Sequence, residues 1–228
     1  MDELLQQIMQ WLSMHGVPTD ELLSLQRASV EKAKFVVSTP PDIIFHGNET
    51  ISVGSFNFKV LWTPGHSPGH ISLYEPTRKI LISGDHVLPT ITPNVGLHPQ
   101  SSANPLGDYL NSLSMVKRLK VNLVLPGHEY SFDNLQVRID EIIWHHQQRN
   151  SEIQQTIEAE AKTAYQVATR LTWMSDIKGV GWQGLDPWNK RLAVLETIAH
   201  LEAMRFAGEV DKFAKDSIVY YRLLNIAK

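Results

Sequence analysis

Cysteine is absent from this chain of 228 residues. Its absence excludes disulfides, thiolate zinc sites and cysteine nucleophiles, so any bound metal must be held by histidine and carboxylate side chains. Ten histidines and 24 aspartates and glutamates are available for that task.

Strong charge and long apolar runs are also missing. The formal net charge is -3 and no block of lysine or arginine occurs, which disfavours nucleic-acid binding through bulk charge. No apolar run is long enough to span a bilayer, and the start, MDELLQQIMQWLSMHG, lacks the basic and apolar regions of a signal peptide. The sequence therefore predicts a cytoplasmic protein without membrane contact.

Helical and strand patterns alternate through most of the chain. The pattern of residues 1 to about 37 predicts two helices, with Thr19 as the N-cap of the second. From Pro40 onward short apolar strands follow, and a proline-rich stretch, Val87 to Ala103, is a candidate lid or pocket wall. The fold class predicted from this alternation is α/β.

The last part of the chain has a different character. The pattern of residues 159–228 predicts helix, helix and hairpin, with Thr163 capping the first of these helices. We expect a small winged-helix-like α+β domain there, after a first domain over residues 1–158. Its presumed second helix mixes glutamates with lysines and arginines and offers no basic face, so DNA binding is not expected.

One motif type occurs three times. An apolar strand runs into Thr63-Pro64-Gly65-His66, another into Ser83-Gly84-Asp85, and a third into Pro126-Gly127-His128. Glycine lets the backbone turn sharply where a strand ends, and the sheet then holds the ligand atom rigidly. Each motif alone is typical of an ordinary turn with an exposed histidine or a capping aspartate. Three of them in one apparent sheet predict a metal site.

These motifs resemble the third, fourth and fifth motifs of the metallo-β-lactamase superfamily, in order. The resemblance rests on Thr63 to His70, on Ser83-Gly84-Asp85 and on Leu125 to Glu129. It implies part of an αββα sandwich. The segment Asp85 to Asn94, together with the winged-helix-like end, resembles the lactamase-beta-2-like subgroup of hydrolases.

The resemblance also implies roles for individual residues. His66 would ligate one zinc ion, His128 a second, and Asp85 would bridge the two, which lie roughly 3.5–4 Å apart in such sites. The implied activity is hydrolysis, by metal-activated water, of a small-molecule or phosphodiester substrate through an ester, thioester, lactam or phosphodiester bond. No protein nucleophile is then required, so the catalytic set is the metal ligands alone.

The H-x-H-x-D-H cluster of this family, which lies before the first of these motifs, is absent. Only His15 and His46 precede His66, and neither stands beside an aspartate at that spacing. Two ligands for each ion hold zinc poorly, since three or more are usual, so we expect weak binding of zinc at most. One ion shared by His66, Asp85 and His128 is the remaining option.

Two functions stay open on this interpretation. The first is a metal-dependent hydrolase whose site is incomplete in this chain, so that the chain alone is weakly active or inactive. The alternative is a catalytically inactive truncated or divergent relative that acts as a scaffold or self-associates. A homodimer through the uncovered face of the sheet would serve the second function.

Other histidines are lesser candidates. His70 is a candidate for supporting a metal ligand, and His86 and His98 for contacting a ligand or substrate. His145 and His146 are neighbours on a helix, point in different directions and are expected to face solvent.

Overall fold

The computed structural model describes residues 2–35, 37, 39–173 and 179–224. The helices are α1 Asp2–Met14, α2 Thr19–Ala33, α3 Pro105–Lys117, α4 Leu135–Ile157, α5 Ala164–Ala168 and α6 Pro187–Phe206, with a 3₁₀ helix at Trp182–Gly184. The strands are β1 Thr50–Val53, β2 Phe56–Trp62, β3 Ile71–Glu75, β4 Ile80–Gly84, β5 Leu123–Pro126, β6 Val210–Lys215 and β7 Ile218–Leu223. The predicted α/β class is confirmed.

The chain divides into two compact units. The sheet unit comprises residues 40–95 and 105–147, and the helical unit comprises residues 1–39, 96–104 and 148–228. The N-terminal helices thus belong to the same unit as the C-terminal region. The domain boundary near residue 158 stays a prediction, as does the winged-helix identity of the C-terminal part.

The sheet unit contains a five-stranded sheet in the order β1-β2-β3-β4-β5. Neighbouring strands are antiparallel from β1 to β4, and β5 lies parallel to β4. Strands β2, β4 and β5 therefore all run in the same direction, and their C-terminal ends reach the same edge of the sheet. We call this edge the ligand edge, because the three predicted metal-ligand motifs follow these strands.

The two faces of this sheet differ in burial. On one face the central side chains, including Ser72, Leu81 and Val124, are fully buried. The other, which we call the open face, is mostly apolar, and its side chains are half-exposed or exposed apart from the buried Val60 and Glu75. Its apolar members, assigned from the strand register, are Ile51, Val53, Phe56, Phe58, Val60, Trp62, Ile71, Leu73, Ile80, Ile82, Leu123 and Leu125.

The helical unit joins α1, α2, α5 and α6 to an antiparallel hairpin formed by β6 and β7. Thr163 caps α5 as predicted, through a reciprocal pair of hydrogen bonds with Gln166. The predicted N-cap of α2 is wrong by one residue: Pro18 occupies that position without a side-chain hydrogen bond, and Thr19 begins the helix. Proline suits this position because its own N–H is not needed there.

Polar groups are also buried in the helical unit, in a set that we call the buried polar cluster: His15, Glu202, Arg205, Lys212 and Tyr221. His15 and Tyr221 have no exposed surface, and Glu202 is 3% exposed. The Tyr221 hydroxyl donates to Glu202 over 2.9 Å and lies 3.3 Å from His15 Nε2. Lys212 and Arg205 donate to the same carboxylate over 2.7 and 2.6 Å. The cluster thereby ties α1 to α6 and the hairpin.

A membrane span is not found among the described helices, since none is both long and apolar enough to cross a bilayer.

Candidate metal centre

The three predicted ligand residues meet at the ligand edge. Asp85 Oδ2 lies 3.8 Å from His66 Nε2, and Asp85 Oδ1 lies 3.5 Å from His128 Nε2. Each imidazole thus faces a different oxygen of one carboxylate. The side chains of His66 and Asp85 are about one third exposed and that of His128 two thirds, so the group is open to solvent.

Two glycines make this approach possible. Gly65 has φ +137°, and a Cβ there would lie 2.3 Å from the Tyr109 Cβ. A Cβ at Gly127 would lie 2.4 Å from Asp85 Oδ1. Any larger residue at either position would displace the chain or the carboxylate, which is the physical reason for glycine before His66 and before His128.

The orientation of the His66 ring is fixed by a contact of its Nδ1 atom. Nδ1 lies 2.9 Å from the carbonyl oxygen of Asn94. A carbonyl only accepts, so Nδ1 carries the proton and donates, and in the neutral ring Nε2 keeps its lone pair towards Asp85. Histidines that bind metals are commonly held in this way.

His70 lies directly behind Asp85. Its Nε2 accepts a hydrogen bond from the backbone N–H of Asp85 over 3.1 Å, and its Nδ1 lies 2.8 Å from Thr63 Oγ1. Burial is the main cause that lowers the pKa of His70; His66 adds to this, while Asp85 and Thr63 oppose it. Among the lesser candidates, His70 is the one in direct contact with a predicted ligand residue.

His86 is turned into the interior of the sheet unit. It has no exposed surface, and its ring meets the Tyr109 ring edge-on at 5.2 Å. Neither ring nitrogen has a hydrogen-bond partner among the described residues. Burial lowers the pKa of His86 to about 3. As placed, the side chain is a neutral interior group that solvent does not reach.

His98 belongs to the helical unit. Its backbone N–H donates to Ser101 Oγ over 2.9 Å, and Gln100 N–H lies 3.3 Å from its Nδ1. Burial lowers its pKa, and Arg191 adds to the effect. A role for His98 towards substrate stays a prediction.

The helix histidines differ from the expectation. His146 is 2% exposed, and its ring lies edge-on to Tyr109 at 5.7 Å. The prediction that His146 faces solvent is therefore wrong, because this side of α4 contributes to the core, whereas His145 is half-buried.

Glu129 and Arg138 hold the segment after Asp85 in place, and the sequence patterns assigned neither a role. The Glu129 carboxylate accepts from the backbone N–H of Thr90 over 3.0 Å and from its hydroxyl. This side-chain hydrogen bond is the main cause that lowers the pKa of Glu129. Arg138 donates to the carbonyl oxygens of Leu88, Thr90 and Ile91 over 2.7 to 3.0 Å. These hydrogen bonds hold residues 88–91, part of the predicted lid, in a fixed position.

Within residues 2–35, 37, 39–173 and 179–224, no group of three or more histidine, aspartate and glutamate side chains is arranged so that it could hold a metal ion. His66, Asp85 and His128 are paired through Asp85 only. Their part as metal ligands stays a prediction.

The five-stranded sheet brings the imidazoles of His66 and His128 and the carboxylate of Asp85 to one edge. The family model for the metallo-beta-lactamase superfamily matches residues 7–128, more than half of the chain, and the chain belongs to this superfamily. The fold resemblance inferred from the three motifs is thereby confirmed.

Individual relatives agree with this assignment. A crystal structure of a metallo-beta-lactamase family protein from Thermus thermophilus is 28% identical, with a TM-score of 0.75, over 94% of this chain and 62% of that chain. The beta-lactamase-like protein 2 homolog of Caenorhabditis elegans is 25% identical over 88% of this chain and 60% of its own length. The human acyl-coenzyme A thioesterase MBLAC2 is 33% identical over 42% of this chain and 34% of its own length. The chain therefore spans about three fifths of the length of the first two relatives.

Proposed function

We propose that this chain contributes His66, Asp85 and His128 as metal ligands to a zinc-dependent hydrolase. The observation that carries the proposal is the convergence of two imidazole Nε2 atoms on the two oxygens of one carboxylate, at 3.5 and 3.8 Å. These separations are too long for hydrogen bonds. Donor atoms that share one tetrahedral zinc ion lie about 3.4 Å apart, by the usual Zn–N and Zn–O lengths.

The donor atoms of these three residues are of the chemical types that zinc binds. Nitrogen and carboxylate oxygen are its usual ligands in a protein without cysteine, and the contact of His66 Nδ1 with Asn94 leaves Nε2 free. A bound zinc ion would supply an activated water and polarise the substrate. The chain's own residues place the ligand atoms and, through Glu129 and Arg138, fasten the segment beside them. With three ligands in this chain, we expect weak binding of one ion.

A thioester or ester is the first substrate class to test. The partly matching human relative is named an acyl-coenzyme A thioesterase, whereas lactam and phosphodiester substrates rest on the superfamily alone. The absence of cysteine gives the thioester assay a clean readout, because a thiol reagent reports only the thiol released from substrate. Acetyl-coenzyme A, p-nitrophenyl acetate and bis(p-nitrophenyl) phosphate cover the thioester, ester and phosphodiester bonds.

Zinc binding and hydrolysis are measured together, by equilibrium dialysis and these three assays. We expect Asp85→Ala to lower zinc affinity by more than the roughly 10- to 100-fold loss that a supporting residue causes. Asp42→Ala, which removes an exposed carboxylate of the same unit, is the matched control and leaves zinc binding unchanged. Equal zinc binding by the wild type and Asp85→Ala would refute the assignment.

The open face of the sheet favours a second function, self-association. Two charged residues meet this face: Glu75, which is 2% exposed, and Arg78, which pairs with Glu75 at 3.8 Å and lies over the Phe56 ring at 4.2 Å. Leu73 lies on the middle strand of this sheet, and Trp62 is 55% exposed. A largely apolar surface whose two charges pair with each other matches another copy of itself, and two sheets pack face to face about 10 Å apart. The proposed occupant is a second copy of this chain.

Sedimentation velocity tests the second function. We expect a dimer for the wild type and a monomer for Leu73→Lys, which places a charge in the middle of the open face. Lys59→Glu changes the charge on the opposite face, where Lys59 is exposed, and leaves the dimer intact. A monomeric wild type at micromolar concentration would exclude self-association through this face.

A further inference from the structure

The ring of His70 bridges the segment that carries His66 and the residue Asp85. Its Nε2 receives the backbone N–H of Asp85 over 3.1 Å. A backbone N–H only donates, so Nε2 must hold a lone pair, and the proton of the neutral ring must lie on Nδ1. Nδ1 then donates to Thr63 Oγ1 over 2.8 Å.

The same tautomer of His70 follows from the other end of this chain of hydrogen bonds, at the carbonyl oxygen of Ser83. The carbonyl oxygen of Ser83 only accepts, and Ser72 Oγ donates to it over 3.3 Å. With its proton used, Ser72 must accept from Thr63 Oγ1, which lies 3.1 Å away. Thr63, with its own proton used, must accept from His70 Nδ1. Each hydroxyl has one proton, so both ends of the chain require the same tautomer.

The hydroxyl groups in this chain of bonds are shielded from water, whereas the ring of His70 is half-buried. Thr63, Ser72 and Ser83 have no exposed surface. Gly84 has φ +54°, and a Cβ there would lie 2.7 Å from His70 Nε2. The ring therefore lies flush against the backbone at the end of β4. Since a buried polar group without a partner is costly, the segments that follow β2 and β4 are coupled through one imidazole.

We propose that His70, as its Nδ1–H tautomer, is a positioning residue: it holds the Asp85 backbone amide so that the carboxylate stays between His66 and His128. The effect on metal binding rests on the proposed function, whereas the tautomer and the amide hydrogen bond do not. His70 itself faces the backbone of Asp85 and Thr63 Oγ1, and it is not a metal ligand in this scheme.

The tautomer is measured first, on the full chain without added metal. Long-range ¹H–¹⁵N spectra at neutral pH report which ring nitrogen of His70 carries the proton. We expect protonated Nδ1 and unprotonated Nε2, and a shift of the Asp85 amide signal in Thr63→Val but not in Thr63→Ser. A His70 ring protonated on Nε2, or on both nitrogens, would overturn the proposal whether or not the protein binds metal.

Cobalt binding is measured second, since Co²⁺ reports its ligand geometry through visible absorption. His70→Leu removes both hydrogen bonds and should weaken Co²⁺ binding about 10- to 100-fold, as expected for loss of a residue behind a ligand. His70→Gln, whose amide oxygen can replace Nε2 as the acceptor, should bind within a few-fold of the wild type and restore its spectrum. His46→Leu, at an exposed histidine of the same unit, is the control.

The outcomes separate the two proposals. Wild-type affinity and spectrum in His70→Leu would refute the positioning role. Equal losses of affinity in His70→Leu and His70→Gln, each matched by a lower melting temperature, would show a structural role only and also refute it. A wild-type chain that binds no cobalt would refute the proposed metal centre, and the tautomer would then decide the positioning role alone.

Discussion

The buried polar cluster and the ligand edge use the same residue types in opposite ways. In the cluster, Glu202 accepts from Tyr221, Lys212 and Arg205, and its side chain is 4% exposed. At the edge, Asp85 faces two imidazoles beyond hydrogen-bond distance, and its side chain is 32% exposed. A carboxylate saturated by donors inside the protein stabilises the fold. One that faces two imidazoles beyond hydrogen-bond distance, and solvent, is left with capacity for a cation.

The histidines repeat this contrast. His15 lies wholly within the helical unit: Nδ1 donates to the Trp11 carbonyl over 2.8 Å, and Nε2 lies 3.3 Å from the Tyr221 hydroxyl, whose proton goes to Glu202. His66 uses Nδ1 only and keeps Nε2 towards Asp85. The two histidines thus differ in what Nε2 faces: a buried hydroxyl at His15 and a partly exposed carboxylate at His66. We expect the first arrangement to serve stability and the second to serve ligand binding.

The largest effect is expected from the cluster. Glu202→Ala leaves the buried Tyr221 hydroxyl without its acceptor and two cations without their carboxylate. The free energy of unfolding should fall by about 3 kcal/mol, the low end for a broken buried pair, because Lys212 and Arg205 are about one third exposed. Urea denaturation measures the loss, and Co²⁺ affinity should not change. Glu158→Ala, at an exposed position of the same unit, is the control; a loss below about 1 kcal/mol would contradict the contrast.

Acid should weaken the cluster through His15. Burial lowers the pKa of His15 from 6.5 to about 4, with the Trp11 carbonyl opposing the shift. Between these values the unfolded chain binds more protons, so stability is complete above pH 6.5 and falls as the pH drops to about 4, by about 3 kcal/mol. Burial raises the pKa of Glu202, but hydrogen bonds from Lys212 and Arg205 outweigh it and lower the pKa from 4.5. The contribution of Glu202 to stability is therefore lost only below about pH 4.5, at the acid end of this window.

Unfolding free energies measured by urea at a series of pH values test this slope. His15→Gln keeps polar atoms at the position but does not titrate, and it should remove about 3 kcal/mol of the pH dependence between 6.5 and 4. The part that belongs to His86, whose pKa burial lowers to about 3, should remain. A wild-type profile that is flat over this window would show that His15 is not buried as a neutral group.

A smaller effect is expected at the ligand edge from Gly127→Ala. The added Cβ would lie 2.4 Å from Asp85 Oδ1, so the carboxylate must move, and Co²⁺ affinity should fall about 10-fold. Gly69→Ala is the matched control, because a Cβ there meets nothing within 4 Å. The unfolding free energy of the helical unit should be the same in both variants. Equal cobalt affinity in both would argue against a role for Asp85 as placed.

The smallest effect is expected from Glu129→Gln. The amide oxygen of glutamine still accepts from the Thr90 backbone N–H, so the segment beside Asp85 stays fastened at one point. We expect Co²⁺ affinity to fall by less than about 10-fold, the low end for a residue that supports a ligand. A loss larger than that of Gly127→Ala would mean that Glu129 itself contacts the cation.

Sequence patterns predicted the strand ends well because the signals there are local. Glycine, a preceding apolar strand and a metal-capable side chain stand within a few positions of one another at His66, Asp85 and His128. The helix cap at Thr163 is local in the same sense, since its partner Gln166 lies three residues away. Such features depend on the backbone within one turn and need no knowledge of the fold.

Contacts across long stretches of chain could not be predicted. Glu129 reaches Thr90 over 39 residues and Arg138 reaches Leu88 over 50. Nothing in their local pattern distinguishes them from surface charges. The burial of His146 was missed for a related reason: adjacent helix positions point in different directions, and the sequence does not say which of them meets the core.

The sequence by itself determined the α/β class, the membership suggested by three glycine-led motifs, and the three side chains offered at strand ends, because strand period and turn chemistry are properties of neighbouring residues. Tertiary structure alone decided that β2, β4 and β5 end at one edge, that His70 receives the Asp85 amide while His86 turns inward, and that the N-terminal helices join the C-terminal unit. These outcomes depend on strand direction and packing between distant segments, which no local pattern encodes.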